Sequence, residues 1–178
     1  MEPNPLDNAD PGAVVVINDR GEETIVDLED VAFVLNNGWR TDNKGYITRG
    51  YRRNGKYHKV YLHREILLWH GWKLPKGHQV DHRNRIKNDN RKANLRVATR
   101  SQNQSNRISD SKRSRFKGVT LNRKTGLYEA RIQMEGRSLF LGSFPDDRLA
   151  AYYYNEAAKQ IHGEFAMLND LDDLRPKM

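Results

Sequence analysis

The sequence predicts an α+β protein made of two small modules, and three observations carry that prediction. In 178 residues, 37% are hydrophobic and the mean hydropathy is −0.92, too little apolar material for one large core. Two groups of strand-and-turn signals occur, each followed by a helical pattern. Between them lies a Ser-, Lys- and Arg-rich stretch, 104–115, with no hydrophobic period.

Taken in order, residues 1–12 hold Pro3, Pro5 and Pro11-Gly12 and read as a disordered lead-in. Val14–Ile17 and Glu23–Val26 flank Asp19-Arg20-Gly21 as a hairpin. Asp27 is placed to cap a short helix through Asn36, with Val31, Val34 and Leu35 on one face. Tyr46–Thr48 and Lys59–Leu62 read as strands around an Asn54-Gly55 turn. Arg64–Gly71 carries Ile66, Leu67 and Trp69 as a helix, and Pro75 and Gly77 break the chain before a strand at Asp81-His82.

After the basic linker 108–115 a second pattern starts. Gly118–Leu121, Tyr128–Met134 and Ser138–Leu141 form a three-strand meander across turns at Lys124-Thr125-Gly126 and Glu135-Gly136. A helix follows, with Asp146 and Asp147 in its first turn and Ala150, Tyr153, Tyr154, Ala157, Ala158 and Ile161 at helical spacing, up to Gly163. The modules are thus 13–107 and 116–170, with 171–178 as a tail.

Charge narrows the function. Residues 1–48 hold three Lys/Arg against ten Asp/Glu, residues 49–131 twenty-three against five, and residues 132–178 five against eight. A basic middle between acidic ends fits a polyanion partner. No stretch approaches the length of a membrane span, and no secretory signal pattern opens the chain. Cysteine is absent, which excludes disulfides and thiolate zinc sites. A soluble, cytoplasmic protein with neither a membrane nor an obligate protein partner is expected.

Residues 80–103 carry the chemistry. Asp81 and His82 are adjacent, Asn94 follows twelve residues after His82, and Asn103 nine later. Phosphodiester hydrolysis needs an activated water and charge neutralisation at the phosphate and the leaving oxygen. A hard divalent cation takes oxygen ligands, for which Asp81 and Asn103 have the right atoms. Imidazole, with an ordinary pKa of about 6.5, is a natural base near neutrality. Neighbours in a strand point to opposite sides, so Asp81 and His82 can share a site only at a strand end or twist.

Val80-Asp81-His82, Asn88-Asp89-Asn90-Arg91, Ala93-Asn94-Leu95-Arg96 and Thr99-Arg100-Ser101-Gln102-Asn103 resemble an HNH nuclease of the ββα-metal type, most nearly the phage- and intron-associated homing endonucleases. The resemblance spans roughly residues 44–107, including Tyr61-Leu62-His63-Arg64, with the motif at 78–107. It implies His82 as general base, Asp81 and Asn103 as ligands of Mg²⁺ or another divalent cation such as Mn²⁺, and Asn94 as the residue that holds the loop and orients His82. Asn103 stands where many members have histidine, and an amide oxygen favours a hard ion over zinc. His58, His63, His70, His78 and His162 are read as packing or exposed residues, since none has an adjacent carboxylate at metal spacing.

In the second module, Phe116-Lys117-Gly118-Val119, Ala130-Arg131-Ile132, Leu141-Gly142-Ser143-Phe144 and the Ala150–Asn169 segment resemble the Apetala or ethylene-response-factor DNA-binding domain. The resemblance implies a three-stranded antiparallel sheet laid in DNA and backed by a helix. Period-2 alternation independently places Ala130, Ile132, Leu139 and Leu141 toward the helix, and Glu129, Arg131, Gln133, Ser138 and Phe140 outward. Lys117, Thr120, Asn122, Arg123 and Lys124 extend that surface, and Arg107, Lys112, Arg113 and Arg115 supply linker cations. The expected protein is a Mg²⁺-dependent homing-type endonuclease acting on double-stranded DNA in a bacterial or phage-infected cell. The alternative is a catalytically inactive, sequence-specific DNA-binding regulator.

Overall fold

A computed structural model describes residues 12–107 and 115–172. The expected lead-in and tail fall almost wholly outside these residues, as do the linker up to Ser114 and its cations Lys112 and Arg113. The chain divides into two units between Ala98 and Thr99.

In the first unit, β1 (Ala13–Ile17) and β2 (Glu23–Asp27) pair antiparallel with Val15 opposite Ile25. Their connection is held by Asn18, whose Oδ1 accepts the amides of Arg20 and Glu22 at 2.9 and 3.0 Å. A single 3₁₀ turn, Leu28–Asp30, leads into α1 (Val31–Leu35). Asp27 does not cap this helix as expected. Its carboxylate accepts the Lys92 amide at 2.8 Å and the Lys92 ammonium at 3.0 Å, a charged distant partner outcompeting a local one. Leu35 also departs from expectation, being 62% exposed, because the five-residue helix turns only Val34 fully inward.

A three-stranded sheet follows in the order β3 (Arg40–Thr41), β4 (Ile47–Arg53), β5 (Lys56–Tyr61). The β4–β5 hairpin turns through Asn54 and Gly55, both at positive φ (52° and 73°), the backbone that a two-residue hairpin turn requires. β3 pairs with Ile47 and Thr48 only, so the rest of the hairpin continues as a two-stranded ribbon. α2 (Leu62–Trp69) then buries Leu62, Ile66 and Leu67 completely against Val26, Val34, Trp39, Ile47 and Leu95. Each of those three side chains contributes about 2 kcal/mol by burial. Trp69 is exposed rather than core, stacked on Phe33 with ring centres 5.4 Å apart. β6 (His78–His82) and β7 (Leu95–Thr99) form a two-stranded sheet enclosing the loop 83–94.

The second unit begins where Thr99 caps α3 (Arg100–Ser105). Thr99 Oγ1 accepts the Gln102 amide and the Gln102 side chain accepts the Thr99 amide, a reciprocal capping box. β8 (Val119–Asn122), β9 (Leu127–Met134) and β10 (Arg137–Phe144) form the expected antiparallel meander with β9 central. α4 (Asp147–His162) is capped by Asp146, and its Ala150, Ala151, Tyr154 and Ala158 are buried against Val119, Ala130 and Ile132. Gly118 sits at φ +75°, and a Cβ there would lie 2.1 Å from the Tyr154 ring. Only glycine admits that close approach. Asn169 binds both backbone groups of Lys117 (2.6 and 3.1 Å) and exchanges bonds with Asn155 (2.7 and 2.9 Å), tying the chain after α4 to the start of β8. Among the described residues, no helix is long and apolar enough to cross a membrane.

Candidate active site

His82 is the last residue of β6, and it and Asp81 are both buried at a strand end, where two neighbours can serve one site. Asp81 Oδ2 accepts from Arg96 Nε at 2.8 Å and lies 2.7 Å from Nη2. Both side chains are nearly excluded from solvent, so this is an interior ion pair between β6 and β7. His82 Nε2 lies 3.3 Å from Asn90 Oδ1. Burial holds the His82 imidazole below its ordinary pKa, opposed by Asn90 and by the charges of Asp81 and Asp89. At neutral pH it is therefore the unprotonated form that a base requires.

The loop 83–94 is fixed by its own polar side chains. Asn94 Oδ1 accepts the Asn84 amide at 3.0 Å, and its Nδ2 donates to the Asp89 carbonyl at 2.7 Å. Asn94 thus holds the loop as expected, while the carboxamide beside the His82 ring belongs to Asn90, eight residues along the chain. Asp89, fully buried, accepts from Arg91 Nε and Nη2 (2.8 and 2.7 Å) and Asn84 Nδ2 (2.7 Å). Burial raises the Asp89 carboxyl pKa, but the Arg91 bonds outweigh it and hold the group below its usual range. The loop is anchored to β2: Ile25 N donates to Asn88 O (2.8 Å), Asn90 N to Ile25 O (2.7 Å) and Asn90 Nδ2 to Thr24 Oγ1 (2.8 Å). Lys92 is gripped by Asp27, Glu29 and Asp30, so the acidic N-terminal segment neutralises part of the basic loop.

Two residues at the site escaped sequence reading. Arg96 belongs to the Ala93–Arg96 motif, and nothing local in the sequence says that it faces Asp81. His63, at the start of α2, packs edge-on against His82 with ring centres 4.9 Å apart, inside a cluster with Tyr46 and Tyr61. Its Nδ1 is buried with no hydrogen-bond partner among the described residues. Burial, then the His82 and Arg64 charges, drive its pKa down to about 3, so the ring is neutral. The one signal available was its place in Tyr61-Leu62-His63-Arg64, ahead of the motif.

Asn103 lies on α3, half-buried, beyond the unit boundary. Among the described residues, no three His, Asp or Glu side chains gather as a metal cluster. Taken singly, Asp81 offers a carboxylate oxygen and Asn103 an amide oxygen, both hard donors. Oxygen donors of this kind suit a hard divalent cation in general.

In the second unit, Thr120, Arg123, Lys124, Arg131, Gln133 and Phe140 are exposed as expected, with Arg131 opposite Phe140 and its guanidinium 5.0 Å from that ring. Asn122 shapes the turn, its Oδ1 accepting the Lys124 amide at 3.0 Å. Arg107 is exposed. Lys117 and Arg115 are otherwise committed. The Lys117 ammonium donates to the Arg107 carbonyl at 2.8 Å and also to that of Ser105, while Arg115 makes two bonds to buried Asp147 at 3.1 Å each. Charge alone did not reveal that these two cations have internal partners.

The HNH endonuclease family model matches residues 60–105, which contain α2, the β6–loop–β7 segment and α3. An uncharacterized HNH endonuclease of Acanthamoeba polyphaga mimivirus is 32% identical over 146 residues, 79% of this chain and 75% of the relative. An AP2-like ethylene-responsive transcription factor of Arabidopsis thaliana is 39% identical over 59 residues, which is 33% of this chain and 12% of that protein. No solved structure matches. The family match thus falls on the segment that carries Asp81 and His82. The chain belongs to the HNH endonuclease family, and it is a nuclease.

Proposed function

We propose that the protein is a divalent-metal-dependent DNA endonuclease of the homing type, directed to its site in part by an Apetala-like C-terminal unit. The observation that carries this reading is the buried His82, kept neutral by its surroundings beside the Asp81 carboxylate. In this reading His82 removes a proton from the attacking water, a role that contributes roughly 10²–10⁴ in rate. Asp81 and Asn103 would hold Mg²⁺ or Mn²⁺, which supplies charge neutralisation at the phosphate and leaving oxygen when bound. Arg96 fixes the Asp81 carboxylate, and Asn94 and Asn90 fix the loop and the imidazole. Thr120, Arg123, Lys124, Arg131, Gln133 and Phe140 would face DNA from the C-terminal sheet.

The test is incubation of the purified protein with supercoiled DNA carrying its native locus, with Mg²⁺ or with EDTA, beside His82→Ala. Nicking or linearisation in Mg²⁺ that the variant loses by at least 100-fold, with DNA binding retained, is the expected result. Cleavage surviving in His82→Ala would overturn the assignment of the base. Tight, salt-sensitive binding without cleavage by the wild type would move the reading to a DNA-binding regulator.

A further inference from the structure

We infer that the β4–β5 ribbon is a second DNA-contacting element, which inserts its tip into a groove of the duplex a few base pairs from the bond cut by the nuclease site. From Ile47 to Tyr61 the chain carries five Lys/Arg and no Asp/Glu. Two of the five are occupied: Arg49 lies over the Trp39 ring at 5.1 Å and Lys59 pairs with Asp42 at 2.7 Å. The other three, Arg52, Arg53 and Lys56, flank the Asn54-Gly55 turn, are exposed, and have no acidic partner among the described residues. Cross-strand register puts Arg52 opposite Tyr57, and Arg53 opposite Lys56, on alternate faces, so the tip presents cations on both sides.

The ribbon is built to stay thin. Gly50 lies under Tyr57: a Cβ there would come within 2.0 Å of the Tyr57 hydroxyl, so glycine lets the phenol lie flat along the strands. On the other face Tyr51 stacks on His58 at 5.3 Å and 17°. A bare two-stranded ribbon is marginal by itself, and protection of a sheet edge needs a charge or two rather than a projection. An extension with unpaired cations and flat rings on both faces fits a polyanion entered from its groove, and the major groove of B-DNA admits a two-stranded ribbon.

The root of the ribbon is at the nuclease site. Tyr61, the last residue of β5, is 5.4 Å from the His63 ring, which packs on His82. Five residues at about 3.3 Å each put the tip ~17 Å from that root, about five base pairs at 3.4 Å apiece. The ribbon would therefore set where the scissile phosphate falls relative to a contacted groove. This inference rests on the reading that duplex DNA is the substrate.

The experiment compares full-length wild type with the triple variant Arg52→Ala/Arg53→Ala/Lys56→Ala. Binding to a labelled mixed-sequence 40-base-pair duplex is followed across NaCl concentrations in EDTA. Each lost phosphate contact lowers the slope of log K against log salt by about 0.9, so the slope should fall by two to three and affinity at least tenfold near 0.1 M salt. Arg52→Lys/Arg53→Lys, which keeps the charge, should retain the slope, and all three proteins should share one unfolding midpoint. Wild-type affinity and slope in the triple variant would overturn the ribbon while leaving the nuclease reading intact. A wild type that fails to bind the duplex, or that duplex RNA competes away as well as DNA, would overturn both.

Discussion

The loop 83–94 and the outer face of the β8–β10 sheet both carry polar side chains and treat them in opposite ways. In the loop Asn84, Asp89, Asn90 and Asn94 bind one another, the backbone or β2, and Asp89 and Asn90 are wholly withdrawn from water. On the sheet Thr120, Gln133, Ser138 and Phe140 stand in solvent, and Arg131 is held by an exposed pair with Glu129 and by the Phe140 ring. A base must sit at a fixed position in a dry setting, which takes a fully satisfied polar network. A face that reads another molecule must keep its donors and acceptors available. The difference predicts where substitution damages the fold and where it damages only recognition.

The largest effect is expected at Asp89. Asp89→Ala leaves the Arg91 guanidinium and Asn84 without their acceptor, and loss of one partner of such a pair costs about 3 kcal/mol. Chemical denaturation should show the first unit destabilised while the second is unmoved. Equal destabilisation of both would break the contrast.

Next is acidification. His63 is neutral when folded, with a pKa near 3, against 6.5 for the unfolded side chain. Above 6.5 neither state takes the proton and the group costs nothing. As pH falls below 6.5 the unfolded chain binds a proton that the folded one refuses, so stability is lost with falling pH down to about 3. Between pH 7 and 5 that amounts to about 2 kcal/mol. His63→Phe, which keeps a ring in the Tyr46–Tyr61–His82 cluster, should flatten the loss in unfolding free energy over that window. A slope equal to wild type would show that another group governs it.

These two sites also mark how far the sequence could be read. Local chemistry was legible: Asn54-Gly55 announced a hairpin, alternation sorted the faces of β9 and β10, and the motifs between Val80 and Asn103 resemble the HNH family whose model matches there. The Thr99-to-Gln102 capping box is the local signal for α3, whereas a two-residue strand such as β3 leaves almost no pattern. What could not be read were contacts between distant segments: β2 against Asn88 and Asn90, Lys92 with Asp27, His63 beneath His82. These partners lie 19 to 65 positions apart in the chain, and no local period encodes them. The same limit put Lys117 and Arg115 among the expected DNA contacts. A cation that tracks phosphate and one that ties down a carbonyl or a buried aspartate have the same sequence signature.

That ambiguity gives the smallest and sharpest prediction. Arg131 and Arg115 are both arginines of the second unit, one half in solvent over Phe140 and one bound to buried Asp147. Arg131→Ala should leave the unfolding midpoint unchanged and weaken binding to the native DNA site by about 1–3 kcal/mol if the guanidinium reads a base. Relaxed discrimination at one base position should accompany that loss. Arg115→Ala should do the reverse, lowering the unfolding midpoint of the second unit, because buried Asp147 loses two charge-assisted bonds at the first turn of α4. DNA affinity should then fall only in proportion to the unfolded fraction. Binding isotherms and thermal melts on the two variants separate these outcomes. If Arg131→Ala unfolds the unit, or Arg115→Ala spares it and weakens binding alone, then exposure in this sheet does not divide recognition from support.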